Sequence, residues 1–250
     1  MLTFRPEDGQ DIPLLVWRPA EPVRAISSGP LGGGIGVRHW VINATVPMSY
    51  RRDDPDAHLT GLADRLDLRG PGIGLLTGVD VAEVVSGTDT GVRVWATVGL
   101  GAPIWAAAPA PPVDAHPDAA RGVGTVNIVA LVPARLSDAA LVNAVATVVE
   151  AKAQALRELR LPATGTATDA VTILCPLAGP PAPYGGPRSR WGAPLARAAH
   201  RAVLAGGVAP GVPWSVRHDR RRARDGAPGA GSRRHPGVPD PGRDWQPGSG

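Results

Sequence analysis

The chain has 250 residues, of which 43% are hydrophobic and 19% are charged, and it contains 32 glycines and 28 prolines. These values are near those of soluble globular proteins, and the length allows one large domain or two small ones. No apolar run of about 18 residues and no amino-terminal targeting pattern occur, so we expect a cytoplasmic protein with no membrane partner.

The positive charge of the chain lies in its carboxyl-terminal segment. From residue 210 onward eight arginines accompany four aspartates, which leaves 18 basic and 18 acidic residues elsewhere. The segment is rich in Pro, Gly and Arg and has no hydrophobic period, so we predict a disordered tail over residues 209–250 after one domain over residues 1–208. Blocks of like charge are usually solvated, so we expect no nucleic-acid partner.

The predicted elements follow from hydrophobic periodicity. In chain order, short strands are predicted in PLLVWRP and VRAISS, a longer strand in HWVINATVP, and a helix with an Asp cap in DDPDAHLTGLADRLDL. Strands in GIGLLTGV, GVRVWATVGL and GTVNIVALVP come next. Ser137 caps a long helix to about Arg160, ATDAVTILCP is a strand, and SRWGAPLARAAHRAVLAG is a closing helix. This order predicts a single α/β or α+β domain with a mixed β-sheet covered by helices.

Lys152, the only lysine of the chain, lies in the apolar stripe of the long predicted helix. That stripe consists of Leu141, Val145, Val148, Val149, Leu156 and Leu159. The Lys152 ammonium must either reach water at the end of its apolar stem or pair with a buried anion. Asp169 alternates onto the same strand face as the apolar Val171 and Ile173, which makes it the expected partner. Misplaced opposite charges of this kind are typical of functional sites, so both residues are catalytic candidates.

The opposite face of the same helix carries Asn143, Thr147, Glu150 and Gln154. Uncharged hydrogen-bonding groups suit a ligand that is rich in amides and hydroxyls, and they equally suit a half-buried helix that packs on a loop. The two stripes cannot both face one cavity. We interpret Glu150 as the residue that faces the pocket and Lys152 as its support from beneath.

Two segments near the amino terminus offer further polar or backbone groups. SSGPLGGGIG has neither a dinucleotide fingerprint nor a P-loop ending, but Gly32, Gly33 and Gly34 permit positive φ and close approach of backbone N–H groups to a ligand. A tight strand connection would use the same glycines. HWVINATVP places Asn43 on the polar face of a half-buried strand, and that face meets either a ligand or solvent.

Other chemistries lack their motifs. The six histidines are far apart, with no HExxH and no cysteine pair, so we expect no bound metal. No GxSxG elbow occurs. The single cysteine, Cys175, lies in the apolar run VTILCP and is predicted to be a buried, inert thiol.

The ordered segments together resemble one family, the adenosylcobinamide amidohydrolases. They are SSGPLGGGIGVRHWVINATVP, GPGIGLLTGVDV, VRVWATVGL, GTVNIVALVPARLSDAALVNAVATVVEAKAQAL, GTATDAVTILCP and YGGPRSRWGAPLARAAHRAV. The resemblance implies hydrolysis of the aminopropanol amide of adenosylcobinamide, which gives adenosylcobyric acid in cobalamin salvage. It also implies a corrinoid substrate that brings its own cobalt, and no further cofactor.

Our hypothesis for catalysis has Glu150 as general base, backbone N–H groups near Gly32 to Gly34 or Asn43 as oxyanion donors, and Lys152 with Asp169 as charged support. The candidate substrate-binding residues are Ser27, Ser28, Gly32, Gly33, Gly34, Asn43, Asn127, Asn143, Thr147, Thr166 and His200. Two alternatives stay open: a non-catalytic corrinoid-binding protein, and a hydrolase of another amide with Ser28 or Thr166 as nucleophile. The sequence sets no oligomeric state.

Overall fold

The computed structural model describes residues 1–7, 10–109, 124–208 and Trp214. The predicted tail therefore lies outside the described residues except for Trp214, which is buried and donates its backbone N–H to the carbonyl of Gly78. The strands are β1 (Leu2–Glu7), β2 (Gln10–Trp17), β3 (Val23–Ser27), β4 (Gly34–Arg38), β5 (Trp40–Thr45), β6 (Gly72–Thr77), β7 (Val85–Asp89), β8 (Val92–Leu100), β9 (Gly124–Leu131) and β10 (Ala170–Cys175). The helices are α1 (Pro55–Arg65), α2 (Asp138–Glu158) and α3 (Gly192–Gly207), with a 3₁₀ helix at Val81–Glu83.

The strands divide between two mixed sheets. One sheet has four strands in the order β1-β2-β5-β6, and the other has six in the order β4-β3-β10-β9-β8-β7. Within these sheets β5 and β6 are parallel, β9 and β10 are parallel, and the other neighbours are antiparallel. The helix α2 connects β9 to β10, as a parallel pair requires. The predicted mixed α/β class is confirmed, and the single sheet of the prediction is resolved into two.

The two sheets pack face to face, and helices cover their outer faces. Leu15, Val41 and Ile73 of the four-stranded sheet share a buried cluster with Trp95 and Val129 of the six-stranded sheet. A second cluster packs the other face of the four-stranded sheet on α1, and a third packs the six-stranded sheet on α2 and α3. Strands that are buried on both faces read as continuous apolar runs, which explains why all six residues of β5 are buried.

Three strands have no counterpart in the sequence prediction, β1, β4 and β7, and each is an edge strand; the fourth edge strand, β6, was predicted. An edge strand packs less of its surface, so its sequence lacks a clear apolar pattern, as in GIGVR of β4, where no residue is fully buried. The predicted Asp cap of α1 also differs. Asp54 occupies the cap position without a side-chain cap bond, and it pairs instead with Arg52.

The helix α2 has the length and mean hydropathy of a membrane-spanning helix, but half of that apolar window is buried inside the protein. Core helices of globular proteins share these properties. Its buried face consists of Ala140, Leu141, Ala144, Thr147, Val148, Ala151, Lys152, Ala155 and Leu156. The observed buried face is therefore rotated slightly from the predicted apolar stripe toward the alanines, and Val149 of that stripe is 41% exposed.

Close contact between α3 and β7 depends on a glycine, and this gives a testable prediction. A Cβ at Gly87 would lie 2.4 Å from the backbone oxygen of Ala198, whereas a Cβ at Gly61 in α1 would meet only the end of Arg65, at 3.8 Å. We expect Gly87→Ala to lower the free energy of unfolding by about 1–3 kcal/mol through overpacking. We expect Gly61→Ala to raise it by about 0.5–1 kcal/mol because a helix interior favours alanine.

Urea denaturation of both variants and the parent measures the two changes. Equal effects of the two substitutions would contradict the close packing of α3 on β7.

Candidate active site

The predicted partnership of Lys152 and Asp169 is present in the structure. The Lys152 ammonium contacts the Asp169 carboxylate, and the two side chains are only 7% and 10% exposed. Lys152 lies on the buried face of α2, two turns before the helix ends, and Asp169 directly precedes β10. The pair therefore joins α2 to the start of a central strand of the six-stranded sheet.

Four donors surround the Asp169 carboxylate. The backbone N–H of Val126 donates to Oδ1 at 2.8 Å, and that of Thr166 donates to Oδ2 at 3.0 Å. The Thr166 hydroxyl donates to Oδ1, and the Lys152 ammonium donates to Oδ2. A Cβ at Gly165 would lie 2.5 Å from both Asp169 Oδ2 and Lys152 Nζ, so only glycine fits beside the pair. A buried carboxylate with this many donors has its hydrogen-bonding capacity satisfied and fixes the groups around it.

Threonine hydroxyls extend this cluster across the start of β9. The hydroxyls of Thr125 and Thr168 lie 2.6 Å apart, and each also lies within hydrogen-bond distance of the Gly124 carbonyl. Each hydroxyl can therefore donate either to that carbonyl or to the other hydroxyl. We call Thr125, Lys152, Thr166, Thr168 and Asp169 the Lys152 cluster. Sequence reasoning missed Thr125 and Thr168. Their signal was a threonine close to a glycine where a strand begins: Thr125 opens β9 in GTVN, and Thr168 lies just before β10 in GTATD.

Two amides lie between the sheets behind this cluster. Asn127 donates to Asn43 Oδ1 and to the carbonyl of Leu76, both at 2.9 Å, and Asn43 donates to Thr97 Oγ1 at 3.0 Å. Asn43 and Asn127 are 2% and 1% exposed. Within the described part of the chain, Asn127 Oδ1 has no hydrogen-bond donor. These amides bind the two sheets to each other, and one of the two N–H groups of the Asn43 amide is used in the bond to Thr97.

An exposed apolar surface adjoins the Lys152 cluster. Ile104 N–H donates to the carbonyl of Gly165 at 2.8 Å, and Thr164 N–H donates back to the carbonyl of Ile104 at 3.0 Å. Ile104 and Trp105 are nevertheless 41% and 54% exposed. The backbone bonds of Ile104 place these two neighbouring apolar side chains beside Gly165, and contiguous exposed apolar area is a feature of binding surfaces.

Three other predicted residues meet in a different place. Thr147, Glu150 and His200 line a groove of about 350 Å³ between α2 and α3. The Thr147 hydroxyl donates to the carbonyl of Gly185 at 2.9 Å, and Glu150 is exposed. Residues two apart on a helix point about 200° away from each other, so Glu150 and Lys152 face different surfaces. Glu150 therefore faces the groove, and Lys152 lies on the buried face of α2 behind it.

A carboxylate borders the same groove. The hydrogen bond from Gln154 lowers the pKa of Glu158, and the nearby His200 lowers it further. His200 Nε2 lies 3.0 Å from Glu158 Oε2, which is an ion-pair distance without the angles of a hydrogen bond. His200 is therefore oriented by Glu158 at the carboxyl-terminal end of α2.

The serines lie at the same end of the six-stranded sheet as the Lys152 cluster. Ser28 exchanges hydrogen bonds with Val171, two residues after Asp169, through its backbone N–H and its hydroxyl oxygen. Ser27 pairs with Thr172 at 2.8 Å on the inner face. Ser28 is exposed at the sheet surface, whereas Ser27 is buried.

The glycine segment forms a tight strand connection. Gly32 has φ of +67°, and a Cβ there would lie 1.9 Å from the carbonyl oxygen of Gly72 in β6. Arg38 Nη2 donates to the Gly32 carbonyl at 2.9 Å. Gly33 packs on the Gly29 carbonyl, and Gly34 has φ of +80° where β4 begins. The loop thus bridges the two sheets, and Gly32 borders a groove beside α1 instead of the Lys152 cluster.

The remaining predicted residues are structural or peripheral. Asn143 is exposed on α2, where its Oδ1 lies close to Gly186. Cys175 is fully buried, which confirms the predicted burial, and burial raises the pKa of its thiol. In residues 1–7, 10–109 and 124–208, no three His, Cys, Asp or Glu side chains are grouped as metal ligands.

Comparison with known proteins gives a consistent family. A family model described as adenosylcobinamide amidohydrolase matches residues 3–209. An adenosylcobinamide amidohydrolase of Halobacterium salinarum is 36% identical over 195 residues, which cover 74% of this chain and 80% of that protein. A protein of the same name from Methanosarcina mazei is 29% identical over 191 residues, which cover 73% of this chain and 88% of that protein.

The Lys152–Asp169 pair makes a prediction about stability. Lys152→Met leaves a buried carboxylate without its counterion, so we expect the free energy of unfolding to fall by about 3–5 kcal/mol. Lys152→Met with Asp169→Asn removes both charges and should recover part of that loss, which makes the two effects non-additive. Denaturation of the two single variants and the double variant measures the coupling.

The matched control is the exposed pair of Arg24 and Asp138, whose side chains are 28% and 61% exposed. Arg24→Gln should cost no more than about 1 kcal/mol because solvent screens the pair. Additive effects at Lys152 and Asp169 would contradict their coupling.

Proposed function

The chain belongs to the adenosylcobinamide amidohydrolase family, and we propose that it hydrolyses the amide that links the aminopropanol group to the corrinoid. The products are adenosylcobyric acid and aminopropanol, and the step serves cobalamin salvage. The observation that carries the proposal is the family match over residues 3–209, most of the described chain. Cobalt arrives within the substrate.

The surroundings of the Lys152 cluster suit a corrinoid. Such a ring is broad and apolar with a fringe of amides, so it needs an apolar surface beside hydrogen-bonding groups. Ile104 and Trp105 supply exposed apolar area, and the hydroxyls of Thr125 and Thr168 supply polar partners next to it. We infer that the ring rests on this surface with its amide side chain directed at Thr166 and Lys152.

Amide hydrolysis needs a nucleophile, stabilisation of the oxyanion, and a proton for the departing amine. The Lys152 ammonium is a cation in a dry environment, where it stabilises a developing negative charge strongly. The Thr166 hydroxyl donates its hydrogen bond to Asp169, so its proton has an acceptor when the oxygen attacks the carbonyl carbon. Collapse then breaks the C–N bond, the proton passes to the amine, and water hydrolyses the resulting ester.

The alternative is direct attack by water with Glu150 as general base, which remains a sequence-based proposal. Glu150 faces the groove between α2 and α3, on a different side of the helix from Lys152. The hydrogen bond between Thr166 and Asp169 is the specific observation that favours the nucleophile route.

Incubation of the protein with adenosylcobinamide, followed by chromatography, tests the function. We expect equal amounts of adenosylcobyric acid and aminopropanol to appear with time. Tight binding of adenosylcobinamide without any release of aminopropanol would identify a corrinoid carrier and overturn the proposal.

Substitutions distinguish the two routes. Thr166→Val removes the hydroxyl at nearly constant volume and should lower kcat at least a hundredfold, whereas Thr166→Ser keeps a hydroxyl and should retain measurable turnover. Glu150→Gln should leave kcat within threefold of the parent value. Steady-state kinetics on variants with verified folding gives the comparison, and mass spectrometry detects an acyl group on Thr166.

The reverse pattern, with Glu150→Gln inactive and Thr166→Val active, would show that the reaction takes place in the groove between α2 and α3.

The apolar surface makes an independent prediction. Trp105→Ala removes exposed aromatic area without touching the Lys152 cluster, so we expect KM for adenosylcobinamide to rise about tenfold with kcat nearly unchanged. A control at Tyr184, which is 72% exposed near the opposite end of α2, should leave KM unchanged on substitution by alanine. An unaltered KM in Trp105→Ala would show that the ring rests elsewhere.

A further inference from the structure

A further groove lies at the end of α2 opposite the Lys152 cluster. It measures about 680 Å³ and lies beside the segments that follow β9 and β10. Fourteen residues separate Asp138, where α2 begins, from Lys152, so the two places are about 21 Å apart along the helix. In α/β sheets, ligands commonly bind outside the carboxyl ends of parallel strands, which is where this groove is found.

The walls of the groove are aromatic and proline rings. They comprise Pro133, Pro180, Pro181, Pro183, Tyr184 and Trp191. Tyr184 is 72% exposed, and Trp191 is half-buried in front of α3. Flat rings that are fixed at one edge and open to solvent provide stacking surfaces for a planar ligand.

The charged residues of the groove are all cations. Arg190 Cζ lies 5.2 Å from the centre of the Trp191 ring, so the guanidinium covers that ring and would have to move aside, onto the phosphate, before a base could stack there. Arg135 Nη1 donates to the carbonyl of Gly179 at 3.2 Å, which holds its guanidinium at the rim. No acidic residue is among the described lining, and the nearby Asp138 is paired with Arg24. The groove therefore presents positive charge, which suits an anionic ligand.

We propose that this groove binds a nucleoside monophosphate, with the base stacked on Trp191 and Tyr184 and the phosphate held by Arg135 and Arg190. A guanidinium fork matches phosphate geometry, and aromatic faces accept any base without reading its edges. The volume falls within the range of about 300–1,000 Å³ that small-molecule sites occupy. The site is separate from the corrinoid site and does not depend on the proposed hydrolysis.

Calorimetric titration of the full chain with AMP tests the proposal. We expect saturable one-to-one binding that inorganic phosphate and adenosine each compete for only weakly. Arg135→Gln with Arg190→Gln should weaken AMP binding at least tenfold, and Trp191→Leu should weaken it several-fold. The control Arg69→Gln removes the same charge from an exposed pair with Asp67 and should leave binding unchanged.

Several results would overturn the proposal. These are no saturable binding of AMP, equal binding of phosphate alone with Trp191→Leu unaffected, and equal weakening by Arg69→Gln, which would indicate general charge attraction. Displacement of AMP by adenosylcobinamide would also overturn it, because the groove would then belong to the substrate site. Circular dichroism of each variant separates lost binding from lost folding, and the double arginine variant changes only surface residues.

Discussion

The ion pair between Lys152 and Asp169 is the constraint on which the described site depends. It joins α2, the start of β9 and the loop before β10, because the carboxylate also accepts from Val126 and Thr166. A buried ion pair contributes little net stability relative to apolar residues, and the proposed reaction gives this pair a use other than stability. A compact ammonium suits this closely packed place, where Lys152 Nζ lies 2.5 Å from the position that a Cβ at Gly165 would occupy.

The fold brings polar groups to the place where this pair lies. Two sheets packed on each other bury the inner faces of β5, β8 and β9, and amides within that layer must bond to each other across it, as Asn43 and Asn127 do. The parallel pairing of β9 and β10 brings threonines together where the two strands begin, beside Ile104 and Trp105. One end of the molecule thus combines a fixed anion, a fixed cation, hydroxyls and exposed apolar area.

Much of this arrangement could be predicted from local sequence patterns. The alternation of Asp169 with Val171 and the misplaced charge of Lys152 identified their pairing without any structure, because both patterns are local. The division into two sheets could not be predicted, because continuous apolar strands fit a helix-covered sheet as well as a sandwich. Glu150 shows a similar limit: periodicity identified its face of α2, but the partner of that face is α3, which is distant in sequence.

The unique lysine allows a direct measurement of the central claim. In protein labelled with ¹³C-lysine, only Lys152 gives a side-chain signal. We predict that saturation with adenosylcobyric acid, the product, shifts the Lys152 ¹³Cε resonance and that Thr166→Val retains this shift while abolishing turnover. A resonance that stays in place while the product binds would contradict a reaction at the Lys152 cluster.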